Sequence, residues 1–222
     1  GNRLAVVNVQ HASELLAKRR FAACQTEATT AARTAAAMRD FALPERALTT
    51  AFPIDTFGNA MRAAVEIAAA APTLKAIHIT LNADSGDHHH AFDTHWDQLK
   101  YNTPTLTTLG NGLAALRRGL IEIGRWNDTL VLTLDEFGRS PVENETHGTH
   151  HGSANTQLVM GGRVKGGLIG ERPELLHLFS IGGARPVIDY RALFTTVIGP
   201  WWSQDASGVF NRRYAALDLV RS

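Results

Sequence analysis

The chain has 222 residues, enough for one large domain. Its 22 Lys and Arg against 21 Asp and Glu give a formal net charge of +1, and 44% of the residues are hydrophobic. That balance is ordinary for a soluble globular protein and leaves no global field to attract nucleic acid or an anionic membrane. The single Cys24 excludes an intrachain disulfide and a cysteine-based zinc site, whereas ten histidines stand out.

In chain order, GNRLAVVNVQ opens with Leu4, Ala5, Val6, Val7 and Val9 as a buried strand without preamble, and it lacks the features of a signal peptide or twin-arginine leader. The expectation is a chain that starts inside a fold, with a domain incomplete at its N-terminus. Residues 11–42, rich in Ala, Thr and Arg, predict one or two surface helices. Pro44 and Pro53 bracket a connector. A helix is predicted from Asp55 or Thr56, because Phe57, Met61, Val65 and Ala68 recur at three- and four-residue steps before Pro72 stops it. Lys75–Asn82 alternates Ile77, Ile79 and Leu81 as a strand would, then breaks into the polar ADSGDHHHAFDTH.

The next helix is predicted with Thr103 as cap and Pro104 in the first turn. Leu106, Leu109, Leu113, Leu116, Leu120 and Ile123 form its core-facing stripe, and Gly124 is its stop. Thr129–Leu134 (TLVLTL) is a near-continuous apolar run that suits a parallel strand buried on both faces. The polar stretch after it reads as a loop, Gln157–Met160 as a weaker strand, and GGRVKGGLIG as a turn or hairpin with glycines at positive φ. Asp189 opens a helix on Tyr190, Leu193, Phe194 and Val197, and Trp201 and Trp202 pack beyond its Gly199-Pro200 end. No run of about 18 apolar residues offers a membrane span. Strands alternating with helices predict an α/β fold with a mainly parallel sheet. It is read as one domain over 1–222, with a strand and Ala-rich helical region over 1–50 and the core over 51–222.

Two ligand-rich tracts follow strands directly, where α/β sheets gather reactive groups. In FDTHWDQ, Asp93 and His95 are two apart, so an extended backbone points both side chains the same way, and one carboxylate with one imidazole can share a cation. The plainer alternative is an Asp that caps the next helix beside an exposed His. His88, His89 and His90 cannot all aim at one site. After TLVLTL come Asp135 and Glu136, which diverge so that one faces the site, then Arg139, which either steadies an anionic oxygen or pairs with Glu136 or Glu143. His147, His150 and His151 lie in a Gly/Thr/Asn segment, either solvated or metal-binding. The glycine-dense tract matches neither a dinucleotide fingerprint nor a P-loop. No nucleophile elbow, thiol signature or nucleic-acid footprint is present.

The ordered set FPIDTFGNAMRAAVEIAAA, AFDTHWDQ, DTLVLTLDEFGRSPVENETHGTHHGSANTQLVMGGRVKGGLIGERPEL and DYRALFTTVIGPWW resembles the C-terminal part of the bacterial "domain of unknown function 1501" family, from about Phe52 to Trp202. That family is related to the sulfatase and alkaline phosphatase superfamily. The resemblance implies an alkaline phosphatase-like α/β/α sandwich and a metal-dependent hydrolase of phosphate or sulfate esters, acting on a small-molecule or polymeric ester. The ion would be zinc, manganese, magnesium or calcium. Asp93 and His95 match the family's Asp-Thr-His, Glu136 the Glu of its Glu-Phe-Gly-Arg, and His151 the His of its Gly-Thr-Asp-His-Gly. His150 stands where the family has Asp, which leaves two imidazoles as candidate ligands there, and Arg139 is the candidate anion support. The family's early Gly-Gly-Asn-Asp-Gly-like motif and its nucleophile have no match in this chain. Members are commonly exported, which implies a periplasmic setting. The alternative is a non-catalytic exported protein that keeps the fold and a structural metal.

Overall fold

A computed structural model describes residues 4–9, 48–81, 92–172 and 183–221, the first of these as backbone. The predicted helices of 11–42 and the His88–His90 run lie outside these residues. Strand β1 (Leu4–Val9) is followed by helix α1 (Thr56–Ala70), strand β2 (Ala76–His78), helix α2 (Gln98–Glu122), strands β3 (Thr129–Leu134), β4 (Gly138–Glu143), β5 (Thr149–Gly152) and β6 (Val159–Met160), and helix α3 (Tyr190–Thr196), which runs into a π-helical turn over Val197–Trp201.

Local chemistry accounts for these limits. Asp55 caps α1, its Oδ1 accepting from the Gly58 amide at 2.6 Å. The predicted face of that helix is the buried one, with Phe57, Met61, Val65 and Ala68 all inside. Helix α2 ends in a Schellman arrangement: Gly124 takes φ 73°, its amide reaches Ile121 O at 3.0 Å and the Arg125 amide reaches Leu120 O at 2.8 Å. Its start differs from expectation. The helix begins at Gln98, after Asp97 at φ 43°, and Pro104 sits inside it. Proline removes one backbone donor there, and the hydroxyls of Thr103, Thr105 and Thr107 bond the carbonyls of Leu99, Tyr101 and Thr103, one turn back. In this first half Leu106, expected in the core stripe, is exposed, Leu109 packs partly buried against the core, and full burial starts at Gly112.

Strand β3 separates two apolar clusters because successive residues face opposite ways. Val131 packs with Met61, Val65, Leu116 and Leu120 of α1 and α2, while Leu130 and Leu132 pack with Leu193, Val197, Trp201 and Leu219. Trp201 is fully buried, as its place after the helix stop predicted.

Among the described residues the sandwich implied by the resemblance does not form. The fold is mixed α/β, and the described strands make two small sheets instead of one extensive, mainly parallel one. The larger has the order β2-β1-β3-β6, with β1 parallel to β2 and β3, and β6 antiparallel to β3 at its edge. The smaller is the antiparallel pair β4-β5. Two of the four strand pairings are thus antiparallel. For the β4-β5 pair the physical reason is connection length: an antiparallel partner needs only a short turn, and residues 144–148 supply it. The segment after β3, read as a loop, is this hairpin. Its polar composition and Pro141 hid it, and the register slips between Arg139 and Glu143, where the bulge accommodates the proline.

Candidate metal centre

The segment before α2 and the β4-β5 hairpin are stitched together, and the stitching builds the site. The amides of Asp97 and Gln98 donate to Thr146 O and His147 O at 3.0 and 2.9 Å, and the Thr149 amide to Thr94 O at 3.2 Å. Asn144 Nδ2 and Thr146 Oγ1 both donate to His95 O, at 2.7 and 2.6 Å. The same Asn144 closes the hairpin turn, its Oδ1 accepting from the Thr146 and Gly148 amides at 3.1 and 2.9 Å. Gly148 lets the two backbones touch: a Cβ there would lie 2.1 Å from the His95 carbonyl carbon.

Arg139 of β4 and His151 of β5 are register partners, so their side chains share one face of the hairpin. Both reach the same atom. Asp93 Oδ1 lies 2.5 Å from Arg139 Nη1, 2.9 Å from His151 Nε2 and 3.0 Å from His95 Nε2. The two imidazole nitrogens are 3.1 Å apart. Arg139 also donates through Nε to Thr149 Oγ1 at 2.9 Å and through Nη2 to Thr94 O at 2.8 Å and to Thr149 O. Phe137 stacks on the His151 ring, centroids 3.7 Å apart and planes 11° from parallel.

The electrostatics suit a carboxylate ligand. Burial pushes the Asp93 carboxyl up, but hydrogen bonds from His151 and Arg139 and the charges of His95 and His151 outweigh it, and the group is held below its ordinary range. Asp135 behaves in the opposite way. Its Oδ2 sits under the amides of Asn155 and Gln157, each at 3.1 Å, and loss of water raises it above its ordinary range against the Gln157 hydrogen bond.

Asp93, His95 and His151 therefore form a group that could hold a metal ion. The fit is chemical as well as spatial. Two ligands held about 2.0–2.1 Å from one ion at right-angled to tetrahedral angles stand about 2.8–3.4 Å apart, a range that includes the separations here. Of the remaining expected residues, Glu136 is exposed and outside this group. His150 faces solvent, its ring centroid 6.3 Å from that of His95. His147 takes φ 58° and pairs with Glu143 Oε1 at 2.6 Å through Nδ1. Arg139 is brought in, bound to Asp93 itself.

A family model described as "Protein of unknown function (DUF1501)" matches residues 6–203. The chain belongs to that family. No curated protein and no solved structure matches it. In this DUF1501 member the Asp-Thr-His and Glu-Phe-Gly-Arg segments meet across the hairpin face. Sequence reasoning missed Phe137, Asn144 and Gly148. One signal was present: an Asn two residues before a Thr marks a side-chain-closed turn. Among the described residues no helix is long and apolar enough to cross a membrane.

Proposed function

We propose that this chain carries the metal-binding part of a metal-dependent hydrolase of phosphate or sulfate esters, akin to the sulfatase and alkaline phosphatase enzymes. The single observation behind the reading is the convergence of Asp93 Oδ1, His95 Nε2 and His151 Nε2 on one another from segments more than fifty residues apart. Asp93, His95 and His151 would hold the ion. A set with two imidazoles favours zinc over manganese, magnesium or calcium, which are better suited by oxygen ligands. A divalent ion bound there supplies Lewis acidity toward an ester oxygen and lowers the pKa of water.

The protein's own residues do the rest. Arg139 keeps Asp93 ionised and aimed, and ties the hairpin to the segment that carries His95. His150, exposed and with its ring centroid 6.3 Å from that of His95, borders the group on its solvent side. The exported habit of similar proteins extends the proposal to a periplasmic setting.

Turnover of aryl phosphate and aryl sulfate esters, with and without added zinc or manganese, tests the reading. The expected result is metal-dependent hydrolysis that disappears in D93A. Metal uptake without turnover of either ester class would instead mark a non-catalytic protein with a structural metal.

A further inference from the structure

Resting on that metal reading, we propose that Phe137 is the positioning residue that aims His151 at the ion, its aromatic face doing what an outer hydrogen bond does at other metal sites. A metal-binding histidine is ordinarily oriented by its second ring nitrogen, which donates to a carboxylate or carbonyl. Among the described residues, the hydrogen bonds of His151 run through Nε2, to Asp93 Oδ1 and His95 Nε2. Its side chain is 49% exposed, so packing on all sides does not hold it either. What lies flat against the imidazole is the Phe137 ring, at 3.7 Å and 11°. Rotation of His151 about its outer torsion would drive the imidazole edge into that ring, so the stack holds the plane in which Nε2 meets Asp93.

Phe137 is itself held. Gly138 follows it, and a Cβ at that position would lie 1.8 Å from Ala154 O, so the backbone there is clamped against the segment that leaves β5. Asn155 Nδ2 donates to Phe137 O at 3.4 Å. The Arg139 guanidinium carbon lies 5.9 Å from the Phe137 ring centroid, on the side chain that also bonds Asp93. One short run, Phe137–Arg139, thereby fixes both the imidazole and the carboxylate of the group.

The experiment is titration of zinc and of manganese into the purified protein and its F137L and F137W forms, each first stripped with chelator and checked for folding by circular dichroism. Leucine keeps bulk but loses the flat face; tryptophan keeps the face. The inference expects F137L to bind about 10–100-fold more weakly, the usual loss when an outer orienting group is removed, and F137W to stay within about threefold of wild type. Equal affinity in folded F137L overturns the inference and leaves the metal reading intact, whereas a wild-type protein that binds neither ion defeats the metal reading and the inference together. A second measurement does not depend on the variant folding. The ring protons of His151 should show an upfield ring-current shift in the wild-type NMR spectrum, and it should persist on loading with zinc. Loss of that shift on loading overturns the inference.

Discussion

Asp93 and His151 stand 58 positions apart, yet Asp93 Oδ1 lies 2.9 Å from His151 Nε2. Nothing local to either residue brings this about. It follows from a hairpin turn closed by Asn144, a Gly148 that admits the His95 backbone, and an arginine opposite His151 that grips the same carboxylate. The site is therefore a property of the interface between the hairpin and the segment leading into α2.

Arg139 should matter to folding as much as to chemistry. Its side chain is only 17% exposed and bonds Asp93, Thr94 and Thr149. R139M leaves a carboxylate and two carbonyls with reduced compensation, at a cost of about 2–4 kcal/mol. Urea denaturation without metal measures it; a change below about 0.5 kcal/mol would show that the guanidinium is not what joins the two segments.

Two glycines of α2 should respond to alanine with opposite signs. At Gly110 a Cβ meets nothing within 4 Å, so G110A should gain about 0.5–1 kcal/mol from helix propensity. At Gly119 a Cβ would lie 2.8 Å from Val65 Cγ2 and 2.9 Å from Phe52 Cζ, so overpacking should outweigh propensity and G119A should lose about 1–3 kcal/mol. Thermal unfolding of both variants checks the close crossing of α1 and α2.

Glu122, at the end of α2, receives the Thr49 amide at 2.7 Å and the Thr50 amide and hydroxyl at 2.8 and 2.7 Å. The Thr49 amide and the Thr50 hydroxyl are the main causes that hold its carboxyl down, to about 2 from an ordinary 4.5. A depressed folded pKa stabilises the fold above the unfolded value, and the contribution drains away as pH falls from about 4.5 toward about 2. The stability difference between wild type and E122Q should therefore be constant near neutrality and shrink through that window. A difference that stays level down to pH 2 would show that the connector before α1 is not tied to this carboxylate.

Much of the scaffold was legible because its signals are local and strong. The α1 face, the Gly124 stop, the buried run of β3 and the Asp189 cap of α3 each follow from periodicity or end chemistry within a dozen residues. The start of α2 was not, because Thr103-Pro104 has the chemistry of a helix start yet sits inside the helix. The β4-β5 hairpin hid behind polar residues and a proline, and with it went the expectation of one broad parallel sheet. For the site, the two-residue spacing of Asp93 and His95 and the resemblance around His151 pointed to three residues that do converge. Glu136 did not join them, because residue type at a strand end says nothing of which way the following turn aims it.

The central claim is that Asp93, His95 and His151 bind one divalent ion, and calorimetric titration of zinc into chelator-stripped protein tests it most directly. The expected result is one site per chain, a melting temperature that keeps rising with the logarithm of free zinc above the dissociation constant, equivalent to about 2.7 kcal/mol of added stability at one hundred times that constant, and loss of both effects in D93N and in H151A. Binding of equal strength in H151A, or no binding by the wild-type protein, would contradict it.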